Sequence, residues 1–229
     1  RRAARRMSHA DRGRRDRRGG APGGVHRTVS TLRRPAWLPD PDPAGPDRRG
    51  LVTSGLAVSV VEVLETLGLH AAVKWPNDVL LAGGHPGKVA GILAELVTGE
   101  RPAIVVGLGL NVGWPPAESA ISDEPVPSGA TSLALAGVSV DRWRLLVDVL
   151  VAFDSQLAVL ESPDGPERLR QDHLAASATV GNRVRVEQVS GDLIGEAVDL
   201  TADGALVVVP DGGQPVEVHA GDVTHLRAL

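Results

Sequence analysis

The sequence predicts an α/β (α+β) domain built on a mixed sheet, followed by a small β-barrel. Two changes of pattern carry this prediction. From Leu51 onward, apolar residues recur first at helical spacing and then in short β-type runs. After about residue 178 the period becomes two, in closely spaced strands separated by turn residues. The predicted units are residues 1–50, 51–176 and 177–229.

Residues 1–50 read poorly as folded protein. They hold 14 arginines against five aspartates, a net charge of +9, together with seven glycines and six prolines. Such a segment cannot bury enough apolar surface to offset the entropy lost on ordering, so we expect it to be aberrant or disordered. Its Arg/Gly/Pro/Ala bias is typical of GC-rich DNA read out of frame, which suggests a truncated or frame-shifted start. A basic nucleic-acid arm is the alternative.

The α/β unit begins with a helix predicted over 52–67, because Leu56, Val60, Val63 and Leu67 share one face. Gly68 follows where a helix end favours a left-handed residue. The next β-type runs are predicted at Ala71–Lys74, Val79–Ala82, Lys88–Thr98 and Ala103–Val112.

A surface loop with four prolines is predicted over Pro115–Gly129. An amphipathic helix over 141–161 and a shorter one near 166–173, with Pro166 at its start, complete the unit. The last part of the chain predicts four strands, formed by Val180 to Val186, Leu193–Leu200, Ala205–Val209 and Val216–Val218.

Composition excludes several classes of protein. Residues 51–229 hold ten basic and 23 acidic residues, and no apolar stretch is long enough for a transmembrane helix. The absence of cysteine excludes disulfides and thiolate metal sites. We therefore expect a soluble, cytoplasmic protein. Gly83–Lys88 fails as a Walker loop, and Gly107–Gly113 fails as a dinucleotide fingerprint because its third glycine comes one residue late.

The chain has only two lysines, Lys74 and Lys88, and both lie in one short window. Lysine is a compact point charge on a flexible stem, which suits it to binding a single oxyanion. The window contains three linked motifs, Lys74-Trp75-Pro76-Asn77-Asp78-Val79, then Gly87-Lys88-x-x-Gly91-Ile92-Leu93-x-Glu95, then Gly107-x-Gly109-x-Asn111.

These motifs resemble those of the biotin protein ligases, and the likeness covers roughly 51–229, including an SH3-like C-terminal barrel that matches Val180–Val209. The resemblance implies ATP-dependent ligation of biotin, through biotinyl-5′-AMP, to a lysine of a biotin carboxyl carrier protein of acetyl-CoA carboxylase or a related enzyme. It implies Mg²⁺ accompanying ATP and no metal ligands from the protein. A homodimer is possible, and no DNA-binding domain is visible. The alternatives are a lipoate-type ligase and a catalytically impaired paralogue that only binds ligand.

The resemblance also assigns roles to residues. Lys88 contacts the biotin carboxylate and then the adenylate phosphate, and Asp78 handles the incoming lysine amine. Gly91 and Ile92 line the biotin pocket, and Trp75 shapes its wall. Asn77, Gly107, Gly109 and Asn111 are expected to contact the adenylate.

The family's adenylate loop has only a remnant, Ala10–Arg17, in which Arg12, Gly13, Arg14 and Arg17 are the expected phosphate contacts. Aspartates stand where the family has two loop glycines, at Asp11 and Asp16, and a carboxylate beside a phosphate is electrostatically adverse. The family's early Ser-Thr-Asn segment is absent.

Overall fold

The computed structural model describes residues 28–30, 49–99, 103–113, 128–188 and 191–226. Within these ranges it contains three helices and ten strands. The helices are α1 (Arg49–Thr66), α2 (Arg142–Leu160) and α3 (Gly165–Ala175). The strands are β1 (Thr28–Ser30), β2 (Ala71–Lys74), β3 (Asp78–Leu81), β4 (Gly87–Val97), β5 (Ala103–Leu110), β6 (Arg183–Glu187), β7 (Leu193–Leu200), β8 (Leu206–Pro210), β9 (Val216–Val218) and β10 (Asp222–His225).

The first sheet has the strand order β1-β5-β4-β3-β2, and the predicted α/β class is confirmed. Every pair of named strands in it is antiparallel. Short connections between successive strands favour such hairpins, since a parallel pair needs a long crossover. The parallel part expected of a mixed sheet is limited, among the described residues, to two isolated bridges, Val73 with Ser177 and Lys88 with Ala130.

Helix α1 is buried around almost its whole circumference. One side packs on β2 to β5, and other sides pack on α2 and α3. Its end confirms the role predicted for Gly68, which has φ +78°. The Leu69 N–H donates to Leu64 O at 3.1 Å and the Gly68 N–H to Glu65 O at 2.9 Å, the paired bonds of a Schellman motif. The helix starts at Arg49, three residues before the predicted 52.

The two other helices pack against α1 and against each other. Helix α2 begins after Asp141, whose Oδ1 accepts the Arg144 N–H at 2.8 Å. It buries Leu145, Val149 and Phe153. The helix predicted over 141–161 is present, but its predicted apolar face is partly wrong, because Trp143 and Val147 of that face are exposed. Helix α3 extends a little beyond the predicted 166–173 at both ends. Because α1 covers one face of the first sheet, the opposite face is available for a site.

The C-terminal part of the chain forms a small all-β unit, as predicted. It is a five-stranded antiparallel sheet in the order β10-β6-β7-β8-β9. Two details differ from the prediction. Val180 precedes β6 rather than lying in it, because the chain turns at Gly181, whose φ is +85°. The sequence pattern also missed β10, a strand of four residues whose side chains alternate between a buried valine and polar groups.

A further difference concerns residues 1–50, which the sequence predicts to be disordered. Residues 28–30 of that segment form β1, which pairs antiparallel with β5 in the register of Val29 with Gly107. Residues 49–50 belong to α1. Three residues are too short a run for periodicity to reveal, and backbone pairing with a longer neighbour is what defines them as a strand.

His173 of α3 is a buried titratable group that no sequence motif indicated. Its Nδ1 lies 2.9 Å from Ser54 Oγ of α1, and its Nε2 has no hydrogen-bond partner among the described residues. Burial lowers the pKa of His173 to about 4, from an ordinary 6.5. A neutral ring is therefore part of the native packing between α1 and α3.

This predicts an acid-dependent loss of stability. Between pH 6.5 and about 4 the unfolded chain takes up a proton on His173 that the folded chain does not, so the free energy of unfolding falls as pH falls. At about 1.4 kcal/mol per pH unit, the loss between pH 7 and pH 5 is about 2 kcal/mol. Urea unfolding at both pH values should show this loss in the wild type and a smaller one in His173→Gln. Equal pH dependence in the two proteins would contradict the assignment to His173.

Candidate active site

The site is built around an irregularity in β4. Asp78 of β3 pairs with Gly91, but Leu80 pairs with Lys88, so β4 contains an extra residue at Val89. Residues three apart on a regular strand point to opposite faces of the sheet. The bulge cancels this alternation and places Lys88 and Gly91 on the same face. The Gly-Lys-x-x-Gly spacing is therefore the sequence signature of a bulge that directs Lys88 toward Gly91.

Lys88 and Asp78 form an ion pair at this point. Lys88 Nζ lies 2.5 Å from Asp78 Oδ1, and the two side chains are 48% and 17% exposed. Gly91 makes room for the pair, since a Cβ at Gly91 would lie 3.2 Å from both Cε and Nζ of Lys88 and 3.6 Å from Asp78 Oδ1. The two residues expected to carry the chemistry are thus in contact, with the cation still reachable from solvent.

A row of glycines continues the same face toward β5. Gly91 pairs with Gly109, and the next position of β4 on this face, Leu93, pairs with Gly107. Without side chains, the two β5 glycines leave the backbone accessible to a ligand. Leu93 is 62% exposed, although leucine is usually buried. We call the surface formed by Lys88, Asp78, Gly91, Leu93, Gly107 and Gly109 the open face.

Leu93 is a residue of this face that the sequence reasoning missed. The alternation of a strand could have found it, because it lies two positions after Gly91. The same alternation corrects the prediction for Ile92. The Ile92 side chain is buried in the core that the sheet shares with α1. Only its backbone atoms can therefore reach a ligand on the open face.

The two predicted asparagines hold the strands of the site together. Asn77 Nδ2 donates to Ile92 O at 2.8 Å, while the Ile92 N–H donates to Asn77 O at 2.9 Å. Asn111 Nδ2 donates to Thr131 O at 2.9 Å. Their amide nitrogens therefore have structural partners, and their contacts with an adenylate stay predictions.

The segment 129–133 is a second element that sequence analysis did not connect with the site. The Lys88 N–H donates to Gly129 O at 2.7 Å, and the Thr131 N–H donates to Lys88 O at 3.0 Å. Thr131 is buried, and its Oγ1 donates to His85 O at 2.8 Å. These bonds fix the backbone of Lys88 at the start of β4. No motif in 129–133 indicated this, because the two bonds to Lys88 are made by main-chain atoms.

Trp75 lies elsewhere than predicted. Its side chain is buried in the core of the C-terminal sheet, and its Nε1–H donates to Gly204 O at 3.0 Å. It therefore does not form a wall of the open face. A large aromatic side chain with one polar atom gains most where the ring is buried and the N–H has a partner, and the C-terminal sheet supplies both.

Some expected features fall outside this geometry. Arg12, Gly13, Arg14 and Arg17 lie outside the described residues. Within the described ranges, no group of three or more His, Asp or Glu side chains is placed to hold a metal ion. The helices of those ranges are also too short or too polar to cross a bilayer.

The C-terminal sheet matches a family model. Residues 179–226 match the model described as the biotin protein ligase C-terminal domain. The fold is similar to that of a biotin protein ligase from Aquifex aeolicus, with a TM-score of 0.62 over 80% of this chain and 77% of that one, at 23% identity. A structure of the Aquifex ligase in complex with biotin and ATP gives a TM-score of 0.60 over 78% of this chain and 72% of that one, at 24% identity. At these identities the likeness establishes the fold class, that of the biotin protein ligases.

Sequence relatives establish the family. A biotin–[acetyl-CoA-carboxylase] ligase of Mycobacterium tuberculosis is 39% identical over 180 residues, 77% of this chain and 62% of the relative. A ligase of the same name from Paracoccus denitrificans is 31% identical over 168 residues, covering 69% of this chain and 68% of the relative. The chain belongs to the biotin protein ligase family. It matches only part of its relatives, down to 47% of the length of the Bacillus subtilis bifunctional ligase/repressor BirA.

Proposed function

We propose that this chain activates biotin with ATP and transfers the biotinyl group to a lysine of a biotin carboxyl carrier protein. The observation that carries the proposal is the Lys88–Asp78 ion pair at the edge of the glycine-lined open face. Membership of the biotin protein ligase family supports it, since relatives of that family are named as ligases acting on acetyl-CoA carboxylase.

In the first step, a carboxylate oxygen of biotin attacks the α-phosphorus of ATP, and pyrophosphate leaves. The biotin carboxylate and the phosphates of ATP are both negatively charged, so a fixed cation at the reacting oxygens lowers the barrier. Lys88 fits this role because its ammonium group is half-exposed and its backbone is held by Gly129 and Thr131. An anionic substrate competes with Asp78 for Lys88, and the flexible stem lets the ammonium reach it.

In the second step, the neutral amine of the carrier lysine attacks the acyl carbon of biotinyl-5′-AMP, and AMP leaves. With an ordinary pKa of about 10.4, only about one amine in 2,500 is neutral at pH 7. Asp78 holds the ammonium group beside the adenylate and accepts its proton as the new amide bond forms. Its largely buried carboxylate, 17% exposed, can receive a second cation once Lys88 has turned to the phosphate.

The open face suits a ligand that is apolar at one end and anionic at the other. Leu93 supplies an exposed apolar surface, the glycines allow backbone contact, and the cation lies at the Gly91 end. Mg²⁺ enters with ATP as part of that substrate. We further propose that the enzyme works in the cytoplasm, where ATP and carboxylases meet. A homodimer stays a prediction that sedimentation velocity tests.

The direct test is to incubate the full chain with ATP, biotin and an apo carrier domain and to blot with streptavidin. Labelling is expected on the wild-type carrier and not on a carrier whose acceptor lysine is replaced by arginine. Replacing biotin with lipoate tests the lipoate-type alternative, and binding of biotin without labelling would identify the impaired paralogue. A folded chain that labels nothing would contradict the proposal.

A matched pair of glycine variants tests the open face. In Gly91→Ala the new methyl group lies 3.2 Å from Lys88 Cε and Nζ, so the ammonium must shift. We expect adenylate formation to fall about 10-fold, since misplacing a catalytic group by about 1 Å costs up to 10²-fold. Gly84→Ala is the control, because it has a free methyl position in the turn before β4. Equal loss in both variants would show that the effect is not specific to Lys88.

A further inference from the structure

The turn that leads into Asp78, at the start of β3, is attached to the C-terminal sheet through Trp75. The Trp75 N–H donates to Thr179 Oγ1 at 3.0 Å, and the indole N–H donates to Gly204 O at 3.0 Å. The strand before the turn is held in the same way, since the Val73 N–H donates to Ala176 O at 2.7 Å and the Ala178 N–H to Val73 O at 2.8 Å. The segment 176–179 therefore runs beside β2 and supports it.

Thr179 is the buried centre of this attachment. Its Oγ1 accepts the Trp75 N–H, so its own proton is free to donate to His225 Nε2 of β10, 3.2 Å away. The same hydroxyl can also accept from a protonated Nε2, so the contact is a hydrogen bond in either tautomer. Burial, and then the charge of Lys74, lower the pKa of His225, which favours the neutral ring. The three groups form a chain of hydrogen bonds from β10 to the backbone of Trp75.

Only Pro76 and Asn77 separate Trp75 from Asp78. Asp78 in turn holds Lys88 at 2.5 Å. A carboxylate so close to its partner has little tolerance for displacement, because hydrogen-bonded ion pairs weaken steeply as distance and angle depart from the optimum. A shift of the Trp75 backbone is therefore transmitted over two residues to the ion pair.

We propose that Thr179, supported by His225, is a positioning residue for the Asp78–Lys88 pair, so that the C-terminal sheet sets the geometry of the reaction without touching the substrates. The inference rests on the proposed ligase activity. It predicts an effect on the rate constant of the bound complex rather than on biotin binding, because Leu93, Gly107 and Gly109 lie on β4 and β5, whereas Thr179 acts on the turn before β3.

The experiment compares Thr179→Val with Thr179→Ser. Valine keeps the shape but removes the hydroxyl, which leaves the Trp75 N–H and His225 Nε2 without partners, whereas serine keeps the hydroxyl. Thr179→Val should lower kcat for biotinylation of an apo carrier about 10-fold with KM for biotin changed less than about twofold. Thr179→Ser should restore at least half of the wild-type kcat. Rates are divided by the folded fraction measured by urea unfolding under the assay conditions.

A second pair covers the case in which Thr179→Val does not fold. His225→Gln keeps a neutral acceptor for the Thr179 hydroxyl and His225→Leu does not, so only the leucine variant should lower kcat. Wild-type kcat per folded molecule in both Thr179→Val and His225→Leu would overturn the inference, as would a raised KM at unchanged kcat. If the wild type itself forms no adenylate, the proposed function fails, and this inference fails with it.

Discussion

Replacing Lys88 with alanine is expected to lower the rate of biotin-dependent pyrophosphate release at least ~10²-fold, the usual effect of removing one donor that stabilises developing charge. The substitution removes a side chain that is 48% exposed and not part of either core, so the urea midpoint should change little. The measurement is initial pyrophosphate release at saturating ATP and biotin.

The chain offers a closely matched control for this variant. Arg183 and Asp211 form another exposed ion pair, also at 2.5 Å, in which the cation is 47% exposed. Arg183→Ala removes a cation of the same exposure from the C-terminal sheet and should leave pyrophosphate release unchanged. If Lys88→Ala released pyrophosphate at the wild-type rate, Lys88 would not be the group that stabilises the adenylation step.

Replacing Asp78 with asparagine should have its largest effect on the transfer step. The amide keeps the size of the carboxylate but can neither hold an ammonium group nor accept its proton, and general base catalysis contributes about 10²–10⁴ in rate. We expect transfer from preformed biotinyl-5′-AMP to an apo carrier to fall ~10²-fold at pH 7. Adenylate formation should fall less, because Lys88 keeps its charge.

The pH dependence of that variant distinguishes base catalysis from a structural role. Raising the pH from 7 to 9 increases the neutral fraction of an ordinary lysine amine by about 100-fold, which removes most of the need for Asp78. The defect of Asp78→Asn should therefore shrink toward pH 9. Asp211→Asn, which alters the carboxylate of the control pair, should show no defect at either pH. A defect of equal size at pH 7 and pH 9 would contradict the assigned role.

The elements that were predicted well are those in which the apolar period extends over many residues or whose ends are marked by capping or turn residues. Helix α1 has four apolar residues on one face and a glycine cap, and β2 to β5 are bounded by turn residues. The two edge strands that were not predicted, β1 and β10, have three and four residues and pair with segments that are distant in the chain. Pairing between distant segments leaves no periodic mark in so short a run.

The residues of the site also differ in how well the sequence predicted them. The motifs located Lys88, Asp78 and Gly91, because a bulge with fixed spacing brings them together. The motifs did not show on which face of the sheet each side chain lies. The Ile92 side chain was therefore expected at the ligand, and Leu93 was overlooked. Trp75 was misplaced for another reason, since its environment is made by residues 100 or more positions further along the chain.

Above all, we propose that biotinyl-5′-AMP forms on the open face, where Lys88 stabilises the charge on the reacting oxygens. Mass spectrometry of the full chain incubated with ATP, Mg²⁺ and biotin tests it most directly. We expect biotinyl-5′-AMP in the wild-type reaction, no lipoyl-5′-AMP when lipoate replaces biotin, and at least ~10²-fold less biotinyl-5′-AMP with Lys88→Ala. Absence of the adenylate from a folded wild-type protein, or equal amounts from wild type and Lys88→Ala, would contradict it.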